Sequence, residues 1–151
     1  MEDKQIYEFG RDKVKVPAWL GYTTSHLWGV ENDSVLTIGV SDFFLKLVKE
    51  IYFISYDVKA GDPVNRGKAF GSVEGSKSVM YVKSPTEGSV IEINEELYDD
   101  PAPLNKNPYG DDGWLVKIKQ SVPANLLSYK RYMQVLQVAV DEMEKKTLIR
   151  E

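Results

Sequence analysis

The sequence contains no cysteine among its 151 residues, and it contains only one histidine, His26. The lack of cysteine excludes a disulfide framework, a thiolate nucleophile and thiolate metal ligands. A single histidine argues against a histidine-rich zinc site and against a catalytic triad. No apolar run approaches the roughly 20 residues that a membrane-spanning helix needs. We therefore predict no catalytic residue and no metal site, and we expect no contact with a membrane.

The sequence also lacks a strong excess of charge of either sign. It has 19 basic and 23 acidic residues, for a net charge of −4. This mildly acidic balance argues against nucleic acid as a partner. The first residues show neither an apolar segment behind a basic one nor an arginine- and serine-rich composition. We therefore expect a cytoplasmic protein, or one of the mitochondrial matrix if a transit segment has been removed.

The spacing of apolar residues indicates a mostly β protein. Residues 1–18 are charged and irregular in pattern and are predicted to form a partly ordered N-terminal arm, while residues 19–151 are predicted to form one domain. Between residues 19 and 119, short runs rich in Val, Ile, Tyr and Phe alternate with Gly, Pro, Asn and Asp. This pattern is typical of a sandwich or barrel. Strands are predicted at residues 25–30, 35–40, 51–56, 68–74, 79–82, 89–93 and 114–119.

Two helices are predicted. Residues 43–48 show helical spacing of apolar side chains, and Ser41 or Asp42 is the predicted N-cap. The tail is predicted to be a helix over residues 124–146 with Pro123 near its start, where proline is tolerated. We expect this helix to pack on the β domain as a lid. Its apolar stripe consists of Leu126, Tyr129, Met133, Leu136, Val140 and Met143.

A hairpin is predicted where two β-rich stretches flank Gly75-Ser76-Lys77-Ser78. Glycine and serine favour a tight turn, which would place Lys77 at an exposed tip. Considered alone, such a lysine is an ordinary solvated side chain, because most lysines are exposed.

The hairpin resembles that of a known family. Glu74-Gly75-Ser76-Lys77 is similar to the Glu-x-x-Lys motif of glycine cleavage H proteins, in which the lysine carries a lipoyl group. Ser84-Pro85-Thr86-Glu87-Gly88 is similar to the Ser-Pro-x-x-Gly turn that follows in that family. Residues 22–28 resemble the family's Tyr-Thr-x-x-His-x-Trp, and residues 105–115 resemble its Asn-x-x-Pro-Tyr-Gly-x-Gly-Trp with one residue added. The likeness extends over residues 22–119, which is about two-thirds of the chain.

The resemblance implies a fold, a cofactor and a set of partners. The fold would be a barrel-sandwich hybrid of the lipoyl-domain type, with a short helix and a C-terminal helix, so that residues 19–151 form a lipoyl carrier domain. Lipoate would be attached covalently to Lys77, with Glu74 as a supporting residue. The protein would then be a carrier in glycine catabolism and one-carbon metabolism, not an enzyme. It would shuttle an aminomethyl group, and its partners would be glycine decarboxylase, aminomethyltransferase, dihydrolipoyl dehydrogenase and a lipoylating enzyme.

Three alternatives compete with this interpretation. Biotin carriers share the hairpin but usually have Met-Lys-Met at its tip, whereas Ser76 and Ser78 flank the lysine here. Residues 47–51 and Gly75 depart from the family pattern, which leaves open an H-like lipoate-binding protein of a sulfur-oxidation pathway with heterodisulfide-reductase-like enzymes. An unmodified interaction module is the third alternative.

His26 is predicted to be structural, hydrogen-bonded beside Trp28.

Overall fold

The computed structural model describes the backbone of residues 3–150 and the side chains of residues 3–146. This part of the chain contains eleven strands and four helices. In chain order they are β1 (Ile6–Phe9), β2 (Val14–Pro17), β3 (Gly21–Tyr22), β4 (Leu27–Asn32), β5 (Val35–Val40), α1 (Asp42–Val48), β6 (Ile51–Tyr56), β7 (Pro63–Val64), β8 (Ala69–Gly75), β9 (Val79–Lys83), β10 (Gly88–Ile93), α2 (Glu95–Asp99), α3 (Ala102–Lys106), β11 (Trp114–Gln120) and α4 (Tyr129–Arg150).

Two antiparallel sheets enclose the main core. One sheet has six strands in the order β3-β4-β5-β11-β10-β7, and the other has three in the order β6-β8-β9. Apolar side chains from both sheets meet in one buried cluster, as expected when each sheet has an apolar inner face. Its members include Leu36, Ile38, Ile54, Phe70, Val73, Leu115 and Ile118. The mostly β barrel-sandwich hybrid with a short helix and a C-terminal helix is confirmed, and all seven predicted strands are present within two residues.

The short helix α1 begins as predicted. The Ser41 Oγ atom accepts a hydrogen bond from the backbone N–H of Phe44 at 3.4 Å, so Ser41 is the N-cap. Phe44 and Val48 enter the main core, whereas Phe43 faces a second apolar cluster. Helix α1 is therefore packed between the two clusters, which fixes the position of its C-terminal end.

The N-terminal segment is more regular than predicted. Strands β1 and β2 form an antiparallel hairpin where a partly ordered, irregular arm was expected over residues 1–18, so that expectation of irregularity was wrong. Val14 and Val16 alternate with charged residues, and both are buried in the second cluster. An alternating strand buries only one face, so its charged residues do not prevent it from folding. The division of the chain into an arm and a carrier domain at residue 18 stays a prediction.

Helix α4 begins at Tyr129, five residues after the predicted start at residue 124. The intervening chain is extended instead, because Leu127 exchanges two backbone hydrogen bonds with Tyr22, at 2.8 and 2.9 Å. The Ser128 Oγ atom then accepts a hydrogen bond from the N–H of Arg131 at 3.3 Å, at the start of the helix. Pro123 consequently lies in the extended segment and not in the first helical turn.

Helix α4 packs on the barrel as the predicted lid and completes the second cluster. Tyr132 and Leu136 are fully buried, and the ring of Tyr132 stacks on Tyr22 with the ring centroids 4.4 Å apart. Tyr132 was absent from the predicted stripe, whereas Met143, which was included in it, is 45% exposed. None of the described helices is long and apolar enough to cross a membrane.

Candidate functional site

Lys77 lies at the tip of the hairpin formed by β8 and β9. Glu74 and Val79 form the last paired positions of the two strands. The turn is closed by a hydrogen bond of 2.9 Å from the N–H of Gly75 to the carbonyl oxygen of Ser78. The Lys77 side chain is exposed. The structure therefore places this lysine where the sequence predicted it, at the end of an outward-pointing hairpin.

The backbone of the tip is held by residues 47–50, which we call the α1–β6 corner. The N–H groups of Ser76 and Lys77 donate to the carbonyl oxygens of Glu50 and Val48, at 2.9 and 3.0 Å. The Ser78 Oγ atom donates to the carbonyl oxygen of Leu47 at 3.1 Å. The last carbonyl groups of a helix have no partner within the helix, and two of these acceptors belong to the last turn of α1. The tip thus satisfies the end of α1, and α1 in turn immobilises the backbone of Lys77.

The close approach of tip and helix explains a departure from the family pattern. A Cβ atom placed on Gly75 would lie only 2.1 Å from the carbonyl oxygen of Val48, which no side chain permits without a backbone shift. Gly75 is therefore required by the contact between the tip and the α1–β6 corner, and its occurrence in the motif has a local structural cause.

Lys49, in the same corner, has a backbone conformation that favours glycine. Its φ is +65° and its ψ is −149°, a region that residues with a side chain rarely adopt. The N–H of Lys49 donates to the carbonyl oxygen of Leu45 at 2.8 Å, which closes the end of α1. The corner that holds the tip is thus strained at one residue.

We expect Lys49→Gly to raise the free energy of unfolding by about 1 kcal/mol, because glycine adopts this conformation without steric cost. Glu50→Gly is the matched control, since Glu50 is adjacent and exposed but has no positive φ. The control should lower the free energy of unfolding by roughly 0.5–1 kcal/mol, because glycine loses more backbone entropy on folding. Urea denaturation of both variants measures the difference, and equal destabilisation would show that Lys49 is not strained.

Glu74 is exposed on the same hairpin, three residues before Lys77. It pairs with Phe53 on one side and Val79 on the other. Within residues 3–146, no ion pair involves Glu74, so its carboxylate is not used to hold Lys77. A supporting role for Glu74 would therefore act toward a partner and not within the folded chain.

His26 lies against the second cluster, with its ring near those of Phe43 and Tyr132. Its Nδ1 atom is 3.0 Å from the hydroxyl of Tyr132, which is also 2.9 Å from the Ser41 Oγ atom. Burial lowers the pKa of His26 to about 4, so the ring is neutral at physiological pH. These contacts join α4 to the cap of α1, and they agree with the predicted structural role. Trp28 is not the hydrogen-bond partner, since its Nε1 atom donates to the carbonyl oxygen of Pro108 at 3.0 Å.

The sequence pattern indicates Lys77 and Glu74 but gives no indication of the α1–β6 corner. Three of the groups that hold the tip are backbone carbonyls, so no side-chain type marks them. The one available signal was the departure of residues 47–51 from the family pattern. Among the described residues, no group of three or more His, Asp or Glu could hold a metal ion.

Known proteins of one family are similar to this chain. The sequence model of the family described as "Glycine cleavage H-protein" matches residues 20–142. A glycine cleavage system H protein from Thermobifida fusca is 35% identical over 123 residues, which cover 81% of this chain and 96% of that protein. A mitochondrial H protein from Oryza sativa subsp. indica is 39% identical over 120 residues, covering 80% of this chain and 72% of that protein.

A solved structure gives the same result. The crystal structure of a glycine cleavage system H protein from Mycobacterium marinum is similar with a TM-score of 0.71 and 27% sequence identity. The similarity covers 78% of this chain and 95% of that one. The family model matches four-fifths of the chain, including the hairpin, both sheets and the beginning of α4. The chain therefore belongs to the glycine cleavage H-protein family.

Proposed function

We propose that Lys77 is the residue to which lipoate is attached through an amide bond. Membership of the family supports a lipoyl carrier role in the glycine cleavage system. The observation that carries the assignment to Lys77 is its position, because an exposed side chain is combined with a backbone fixed by the α1–β6 corner. Such a residue can be modified and presented to other proteins without disturbing the core.

The residues around Lys77 fit this cofactor. Lysine supplies a primary amine on a compact, flexible stem. Acylation removes one positive charge, which would change the net charge from −4 to −5. Because the side chain is exposed, no buried charge loses a partner. Bound lipoate would supply the dithiolane that carries the aminomethyl group, and this chain would supply its attachment and orientation.

The chain's own contribution is to hold the arm at a fixed root. The hydrogen bonds from Ser76, Lys77 and Ser78 to the α1–β6 corner keep the tip in one conformation. Tethering raises the effective concentration of the reactive end near a docked enzyme. On this proposal the protein is a carrier and not a catalyst, because the reactive sulfurs belong to the cofactor.

We propose partners for this carrier from its membership of the family. After a lipoylating enzyme has attached the lipoyl group, the arm would enter the active sites of glycine decarboxylase, aminomethyltransferase and dihydrolipoyl dehydrogenase in turn. We propose that Glu74 supports the loading step, because its carboxylate is exposed near the lysine and has no ion-pair partner among the described side chains. A cytoplasmic or mitochondrial matrix location stays a prediction.

The proposal is tested by loading the protein and measuring the reaction of the carrier. After incubation with lipoate, ATP and a lipoate ligase, peptide mass mapping should find the modification at Lys77 alone. Modification of Lys68 or Lys83 in its place would contradict the assignment. The loaded protein should support glycine–bicarbonate exchange by purified glycine decarboxylase, at a lower rate than an ordinary H protein at matched lipoylation, since the α1–β6 corner beside the tip departs from the family pattern.

The departure of the α1–β6 corner from the family pattern supports a second candidate function. A decarboxylase must recognise the surface beside the arm, and specificity is a difference between affinities for such surfaces. If exchange is absent while dihydrolipoyl dehydrogenase still turns over the loaded arm, the H-like carrier of a sulfur-oxidation pathway becomes the better candidate. Failure of every ligase to modify Lys77 would instead favour the unmodified interaction module.

A further inference from the structure

The outward side of the β6-β8-β9 sheet carries large apolar side chains beside the hairpin tip. The strand register sets Phe53, Glu74 and Val79 side by side in one row, and Ser55, Ser72 and Tyr81 in the next outward row. Between these rows, Ile54 and Val73 point into the core. We call the outward surface formed by the side chains of Phe53, Val79 and Tyr81, around Glu74, the hairpin face.

The apolar side chains of the hairpin face are exposed. The exposed fractions are 62% for Phe53, 50% for Val79 and 65% for Tyr81. Val79 and Tyr81 are neighbours on β9, and Phe53 lies across Glu74 on β6, so the three side chains leave apolar area in water around Glu74. Exposed apolar groups of this kind often mark contact surfaces. Aromatic residues are also enriched at the centres of protein interfaces. In the described part of the chain nothing covers these three side chains, so a partner is the natural cover.

The position of the hairpin face relative to Lys77 is fixed by the fold. Val79 and Glu74 form the last pair before the turn, so the hairpin face begins where the root of Lys77 ends. The backbone edge of the turn is already occupied, because Ser76 and Lys77 donate to the α1–β6 corner. The lysine is therefore presented with the hairpin face beside it, in an arrangement that the rigid tip maintains.

We infer that the hairpin face is the docking surface for the enzyme that acylates Lys77. This inference rests on the proposed function and names the surface through which one partner recognises the site. Before modification, only the lysine side chain extends from the tip. Its Nζ atom must come within about 3–3.5 Å of the acyl carbon to react. An acylating enzyme must therefore enclose the tip and contact the residues beside it.

The enzymes that act after loading meet a different geometry. They receive the dithiolane at the far end of an arm that is longer by the whole lipoyl chain. Their chemistry therefore takes place a full arm's length from the root of Lys77, and the carrier surface that they recognise, such as the α1–β6 corner, need not include the hairpin face. Among the proposed partners, the acylating enzyme is the one whose reaction requires contact with the hairpin face.

Acylation of Lys77 requires an activated lipoyl donor, such as a lipoyl adenylate. The Nζ lone pair of Lys77 attacks the carbonyl carbon, and a C–N bond forms. The bond between that carbon and the phosphate oxygen breaks, AMP leaves with the electron pair, and the amine proton is released to solvent. The complementary surface of the enzyme would be apolar with a basic group facing Glu74, which is the one charged side chain in the two outward rows and has no ion-pair partner within residues 3–146.

Single substitutions test the inference. We expect Phe53→Ser and Tyr81→Ser each to lower kcat/KM for lipoylation of the full chain by a lipoate ligase about tenfold, as for truncation of an interface aromatic. Tyr98→Ser is the matched control, because Tyr98 is equally exposed at 63% but lies on α2, outside the hairpin face. Its kcat/KM should stay within about twofold of the wild type. The two test variants lie on different strands, and thermal unfolding of each shows whether it has folded.

A second measurement separates loading from later steps. Each variant, brought to complete lipoylation by long incubation, should be turned over by dihydrolipoyl dehydrogenase at the wild-type rate. Unchanged lipoylation of both test variants would overturn the inference while leaving the proposed function intact. A loss confined to dehydrogenase turnover would overturn it too, since the hairpin face would then serve a later partner. If the wild type is a dimer and either substitution converts it to a monomer, the hairpin face serves self-association and the inference is wrong. If the wild type is never lipoylated at Lys77, the proposed function itself is wrong.

Discussion

Lys77→Arg is expected to abolish lipoylation completely and to leave the fold unchanged. Arginine keeps the positive charge, but its guanidinium does not offer the primary amine that forms the amide. The contact between the tip and the α1–β6 corner uses the backbone N–H of residue 77, which the substitution does not alter. Exposed substitutions of this kind usually change the free energy of unfolding by no more than about 0.5 kcal/mol. Intact-protein mass after incubation with lipoate ligase, together with a denaturation curve, measures both effects.

Lys83→Arg is the control for this experiment, since Lys83 is an exposed lysine on β9 of the same hairpin. It should be lipoylated as fast as the wild type. If Lys77→Arg still acquires lipoate, the attachment site is elsewhere. If it unfolds far more readily than Lys83→Arg, the Lys77 side chain has a structural role that the described contacts do not contain.

Leu136→Asp is expected to lower the free energy of unfolding by about 4 kcal/mol or more. Leu136 is fully buried between α4 and the barrel. Removal of a buried leucine side chain alone costs roughly 2–5 kcal/mol. A carboxyl group placed there without a hydrogen-bond partner adds a further desolvation cost. The midpoint and slope of urea unfolding measure the change.

Val138→Asp provides the comparison on the same helix. Val138 is 63% exposed, so its replacement should change the free energy of unfolding by no more than about 0.5 kcal/mol. A large difference between the two variants is the signature of a helix that packs through one face. Similar unfolding midpoints for Leu136→Asp, Val138→Asp and the wild type would contradict the packing of α4.

Local sequence patterns predicted the strands and α1 because these elements agree with their own periodicity. The tail shows where such patterns are insufficient. Residues 124–128 have a composition that a helix tolerates, yet the pairing of Leu127 with Tyr22 keeps them extended, and this contact spans more than a hundred residues of sequence. Tyr132 was overlooked for a related reason, since its burial depends on a stacked Tyr22 and a hydroxyl partner from Ser41.

The site divides in the same way. Lys77 could be located from the turn composition and the family resemblance, because both depend on residue type. The α1–β6 corner could not, because the main-chain oxygens of Leu47, Val48 and Glu50 would be present whatever their side chains were. In the sequence, Gly75 is only a departure from the family pattern, whereas in the structure the carbonyl group of Val48 lies beside it and leaves no room for a side chain.

The anchoring of the tip by α1 also limits how a cofactor on Lys77 can explore space. A free hairpin turn would add its own excursions to those of the side chain, whereas three hydrogen bonds to the α1–β6 corner restrict this one. The reactive end of the arm would then move within a region whose centre is stationary in the frame of the barrel. Whether the dithiolane reaches an enzyme's active site would then depend mainly on how that enzyme is oriented on the carrier, and little on a conformational change of the hairpin turn. The carrier would act as a rigid body with one flexible lipoyl-lysine side chain.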